Sequence, residues 1–185
     1  MEEKVIFAPK TVKIKGGEIL IRLLREEDGP QLALEEQAQG WGTTTEKFET
    51  RMRDFAAGAC IPLCAELDGK PVGYVNLYKE PGGPFAGTGW PYIVDFAVLE
   101  RVRGRGVGSA LMDAVEALAA VTSDTVCLGV GLHSGYGAAQ RMYVLRGDLR
   151  QCANHFSVSI SMILTAFKSL ASRGSWVTRI VVRFL

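Results

Sequence analysis

At 185 residues the chain has the length of one domain with a sizeable core. Its 21 bases and 20 acids leave a net charge of +1, so neither nucleic acid nor a membrane surface is an expected partner. The opening Met-Glu-Glu-Lys-Val-Ile-Phe is acidic where a signal peptide is basic, and no apolar run reaches the ~18 residues of a membrane span, so a cytoplasmic protein is expected.

Residues 11–24 alternate around Lys15-Gly16-Gly17, the pattern of a hairpin or of two short strands. Asp28-Gly29-Pro30 marks the start of a first helix, with Pro at an early helical position. Gly40-Trp41-Gly42 interrupts it, and a second helix is expected over residues 43–57 with Phe48, Met52 and Phe55 on one face. Residues 60–67 and 71–78 flank Asp68-Gly69-Lys70, a turn signal that makes them an antiparallel hairpin. The Gly- and Pro-rich stretch from Glu80 to Pro91 fits neither helix nor strand.

Residues 92–98, Tyr-Ile-Val-Asp-Phe-Ala-Val, have the composition of a buried strand. The helix after it is legible in Val107, Ala110, Leu111, Ala114, Val115, Leu118 and Ala119, an apolar stripe for packing on a sheet. Between strand and helix stand Arg103, Gly104, Arg105, Gly106, Val107, Gly108 and Ser109. A helix N-terminus offers unpaired N–H groups and the positive end of the dipole, glycines admit a close approach, and arginines add charge suited to phosphate oxygens. A pyrophosphate-bearing ligand is therefore expected. Two better-known phosphate loops do not fit: no Gly-Lys-Ser/Thr is present, and the dinucleotide spacing fails at Ser109.

Phe96-Ala97-Val98 followed by Arg103-x-x-Gly106-x-Gly108 closely resembles the acetyl-CoA signature of the GNAT family of N-acetyltransferases. The later segment with Ala139, Tyr143 and Gly147 looks like that family's next helix, and the stretch from Leu128 to Tyr143 is similar to a bacterial subgroup of mostly unassigned substrate. The resemblance spans residues 19–147. It implies an α/β (α+β) fold: a single GNAT domain over 1–185, with a mixed, mostly antiparallel central sheet and helices on both faces. It further implies an acyl-CoA-dependent N-acyltransferase that moves an acetyl group from acetyl-CoA, as co-substrate, directly to a primary amine, with no metal, as monomer or homodimer.

By the same resemblance, backbone groups of Phe96, Ala97 and Val98 pair with pantetheine, and the Val98 N–H faces the thioester carbonyl. The N–H groups of residues 103–109 hold the pyrophosphate, and Tyr143 is the general acid. Trp41, Phe48 and Phe55 are substrate-pocket candidates, because the first two helices cover the acceptor site in the family. An ammonium of pKa about 10 needs a base or a relaying water. Asp95, a carboxylate within a buried strand, must be paired or functional, although alternation puts it opposite Tyr92 unless a bulge intervenes. His133, which titrates near neutrality, is the competing base.

Four cysteines, Cys60, Cys64, Cys127 and Cys152, form no Cys-x-x-Cys pair and are not grouped with His133 or His155, so metal ligation is not expected. Beyond Gly147 the chain departs from the family pattern. Asp148 faces Arg150, Lys168, Arg173, Arg179 and Arg183, a charge break that leaves the completeness of the acceptor side open. Residues 157–163 and 176–184 are expected as strands. A CoA-binding module without transferase activity, or another acyl donor, is the alternative reading.

Overall fold

The computed structural model describes residues 7–80, 86–131, 137–149, 158–161, 167–168 and 176–184. The chain divides into two compact units, residues 1–79 with 94–118, and residues 80–93 with 119–185.

In the first unit, β1 (Lys10–Ile14) and β2 (Gly17–Leu23) form an antiparallel hairpin turning at Lys15 and Gly16, where Gly16 has φ +83°. β2 pairs antiparallel with β3 (Cys60–Leu67), and β3 with β4 (Lys70–Tyr78). The β3–β4 loop is Asp68-Gly69, both at positive φ (+51° and +75°), the left-handed pair of a type I′ turn that matches strand twist. All residues from Pro71 to Leu77 are buried, as expected of a strand covered on both faces. Tyr74 packs on one side with Leu24, Leu32, Ala33, Phe48 and Cys64. Next to it, Gly73 faces Leu111 and Val98, which lie within 3.3 Å of where its Cβ would be.

Helices α1 (Asp28–Ala38) and α2 (Thr45–Ala56) approach closely: a Cβ on Gly29 would stand 2.8 Å from Phe48 Cβ. The start of α1 is fixed by an ion triad in which Arg22 and Asp28 are buried and Glu66 partly so. Arg22 reaches both Asp28 carboxylate oxygens (2.6 and 2.8 Å) and Glu66 (2.7 Å), while Asp28 also accepts the Arg25 N–H. The bond to Asp28 outweighs burial and raises the Arg22 pKa, so its charge is permanent. β5 (Tyr92–Val98) is followed by a turn of 3₁₀ helix (Glu100–Val102) and by α3 (Val107–Ala119), whose stripe buries Val107, Ala110, Leu111, Val115 and Leu118.

In the second unit the start of β5 runs parallel to β6 (Thr125–Gly131), with Tyr92 opposite Cys127 and Ile93 opposite Leu128. After α4 (Gly137–Leu149) come β7 (Val158–Ser161), β8 (Phe167–Lys168) and β9 (Trp176–Phe184). β9 pairs antiparallel with β6, β7 and β8. The pairing is thus mixed and mostly antiparallel, as the sequence reading expects. Both tail strands form within their expected spans.

Candidate functional site

The link between β5 and α3 is built by backbone conformation. Gly104 and Gly106 have φ of +71° and +97°, a region that other residues enter only with strain, and they turn the chain from the 3₁₀ segment into α3. Helical hydrogen bonding starts with Ala110 N–H donating to Gly106 O (3.0 Å), so Val107 and Gly108 head the helix where N–H groups precede the ladder. A Cβ on Gly104 would meet nothing within 4 Å, and one on Gly106 only Ile14, at 3.8 Å. The concentrated positive end of a 13-residue helix thus lies under uncrowded backbone, the arrangement that binds phosphate oxygens.

The two arginines of this loop differ. Arg103 is half exposed and lies 5.3 Å from the Trp41 ring, with bonds to Val98 O (3.3 Å) and Glu100 (3.2 Å). Arg105 instead donates to Lys15 O (3.0 Å) and Gly16 O (3.1 Å), while its own carbonyl accepts the Lys15 N–H (2.9 Å). Arg105 therefore joins the β1–β2 turn to the loop, a role its position among glycines did not reveal. Gln39 adds another tie by accepting the Glu100 N–H (2.6 Å).

β5 does not alternate regularly. Asp95 has φ +50°, so a left-handed residue interrupts the strand between Val94 and Phe96. Its carboxylate is paired, with Arg51 Nε and Nη2 on α2 both donating to Oδ2 (2.8 and 2.5 Å). Arg51 Nη1 donates to the Tyr78 hydroxyl (2.6 Å), which in turn donates to Asp54. Burial alone would lower the Arg51 pKa, but Asp95 and Tyr78 together more than offset that and the pKa is raised. The Tyr78 phenol is pushed up by burial and by its bond to Asp54. The carbonyl just before the irregular residue is also held by a side chain, Asn76 Nδ2 donating to Val94 O (3.2 Å).

Beside this network lies a second one that sequence reasoning missed. Glu36, 1% exposed on α1, accepts from Tyr74 (2.7 Å) and from the Lys47 ammonium (3.1 Å), which also donates to the Tyr74 hydroxyl (2.5 Å) and sits over the Phe48 and Tyr74 rings. Burial, then the Glu36 charge, raises the Tyr74 pKa. A signal existed: Glu36 is four residues after the buried Leu32, where a helix stripe calls for an apolar residue.

Of the other expected site residues, Phe48 is core, Trp41 stands beside Arg103, and Phe55 is half-buried on α2. Phe96, Ala97 and Val98 are half-buried, Ala97 packing against the cluster around Tyr74. Tyr143 is buried on α4 in the second unit, and His133 lies outside the described residues. Cys60 and Cys64 are buried thiols whose pKa values burial pushes up to about 12, unsuited to act as nucleophiles. Among the described residues no group of His, Cys, Asp and Glu is arranged to hold a metal, and no helix is long and apolar enough to cross a membrane.

A family model described as the acetyltransferase (GNAT) family matches residues 23–145. A search of curated proteins gave no match. Among solved structures, an acetyltransferase of the GNAT family from Desulfovibrio desulfuricans has a TM-score of 0.66 at 17% identity, with 89% of this chain and 98% of that one covered. Mycobacterium smegmatis RimJ, in complex with CoA-disulfide, scores 0.63 at 15% identity, covering 98% and 88%. A ribosomal-protein-alanine N-acetyltransferase from Brucella melitensis scores 0.61 at 18% identity, covering 89% and 99%.

Proposed function

The chain belongs to the GNAT family of acetyltransferases, and from that membership we propose that it transfers acetyl directly from acetyl-CoA to a primary amine of a small molecule or a protein. The observation that carries this is the glycine-bent loop at residues 103–106, heading α3 immediately after β5. Its amides receive the pyrophosphate, with Arg103 as the cation that turns to it, and Phe96, Ala97 and Val98 pair with pantetheine. The Val98 N–H then faces the thioester carbonyl, where a donor is worth most as negative charge develops on oxygen. Tyr143 is the proposed proton source for the departing thiolate, a role that rests on the family resemblance. The Asp95 carboxylate is engaged by two N–H groups of Arg51, so His133 or a relaying water is the proposed base. Direct transfer is favoured because the Cys60 and Cys64 thiols remain protonated at neutral pH.

The Brucella protein's name places an alanine of a ribosomal protein as its acceptor, so peptide N-termini belong in the test beside small amines. Release of CoA thiol from acetyl-CoA, followed with a panel of alkylamines, amino acids and N-terminal peptides, checks the proposal. Amine-dependent thiol release that Tyr143→Phe slows about tenfold or more is expected. Acetyl-CoA binding without release for any amine would favour the binding-module reading instead.

A further inference from the structure

We infer that Arg51 is a positioning residue that fixes the direction of the Phe96–Val98 amides, with the Asp95 carboxylate as its anchor. The inference rests on the reading of β5 as the seat of the thioester. Three observations in the first unit converge on one short stretch of backbone. Asp95 holds φ +50° inside a strand, a conformation that costs free energy unless the surroundings over-determine it. One carboxylate oxygen takes two N–H groups from a single guanidinium, so α2 grips the irregular residue through two bonds, while a third N–H of the same guanidinium is fixed on Tyr78. On the preceding residue, Asn76 holds the Val94 carbonyl with its side-chain amide.

Beyond the left-handed residue, the backbone is held again where Leu99 N–H donates to Val72 O (2.9 Å). The residues between these fixed points are those proposed to face pantetheine and the thioester. A left-handed residue re-aims every amide after it, so whatever holds Asp95 also sets where those N–H groups point. Arg51 is 20% and Asp95 27% exposed, sheltered enough for the pair to retain geometric preference in water. Asp95 is thereby an anchor for the strand and not a free carboxylate awaiting an amine proton.

Hydrogen exchange measured by mass spectrometry on the peptide spanning residues 94–99 tests this, with acetyl-CoA and desacetyl CoA as probes and calorimetry of CoA for each variant. The parent gains protection there from acetyl-CoA beyond that from CoA. Asp95→Asn retains the gain, because asparagine accepts the same N–H groups and tolerates positive φ. Arg51→Met and Asp95→Gly lose at least tenfold of it and bind CoA more weakly but still measurably, since pantetheine loses its pairing with the same amides while the pyrophosphate loop is untouched. Should Arg51→Met fail to fold, Asp95→Gly carries the test, as glycine keeps the backbone angle and removes only the anchor. An acetyl-specific gain that survives in Arg51→Met or Asp95→Gly overturns the inference, as does a parent that binds CoA without any such gain. A parent that binds neither probe overturns the reading of the loop itself, a distinguishable outcome.

Discussion

Arg103 and Arg105 stand two residues apart in the same loop and do different work. Arg103 spends its guanidinium on weak partners it can release, a carbonyl, an exposed carboxylate and a ring face, whereas Arg105 is committed to two turn carbonyls. Arg103→Met is therefore expected to weaken acetyl-CoA binding about tenfold with little change in melting temperature, and Arg105→Met to lower the melting temperature by loosening the β1–β2 turn; calorimetry and thermal denaturation separate them. The sequence shows two arginines among glycines but not which of them a neighbouring turn claims, because β1 and β2 meet the loop only after folding across ninety residues of chain. Tyr74 and Tyr78 yield a second residue-level expectation. Both pKa values are raised above the 10.0 of an ordinary phenol, so the folded state favours the protonated phenols. Their contribution to stability is complete below about pH 10 and is lost as pH rises beyond it. Ultraviolet titration should show these two phenolates emerging only with alkaline unfolding; their ionisation in a fully folded protein near pH 10 would refute it.

At the scale of elements, the hairpins and the β5–α3 unit were legible because local chemistry dictates them. Asp68-Gly69 supplies the two positive φ angles of its turn, and Val107, Ala110, Leu111 and Val115 declare the buried face of α3. The polar seam beneath α2 was not legible, since Lys47, Arg51 and Asp54 recur at helical spacing as a solvated face would. Only tertiary structure turns them inward onto Glu36, Tyr74, Asp95 and Tyr78. The left-handed backbone at Asp95 was anticipated only as the condition that a bulge intervene, because no glycine marks it. Close approach between elements makes two glycines intolerant. Alanine at Gly29 would stand 2.8 Å from Phe48 Cβ and drive α1 from α2, whereas alanine at Gly73 would stand 2.9 Å from Ala97 O and push on β5. Each is expected to cost about 1–3 kcal/mol in chemical denaturation, and Gly73→Ala should in addition slow thiol release by displacing the strand that carries the thioester.

For the whole molecule, the family is settled by a match over residues 23–145, and the mixed sheet with helices agrees with solved relatives below 25% identity. The acceptor is the part that neither local pattern nor fold specifies, since a fold hosts many substrates and the choice rests on side chains around the site. Everything proposed for transfer depends on the loop at residues 103–109 receiving the pyrophosphate of acetyl-CoA. Calorimetric titration of the protein with acetyl-CoA, beside an Arg103→Glu, Gly106→Asp double variant, is the test. Saturable binding by the parent is expected, with a loss of about a hundredfold or more in the folded variant, whose added carboxylates repel the incoming phosphates. Equal binding by the two proteins, or none by a folded parent, would contradict it.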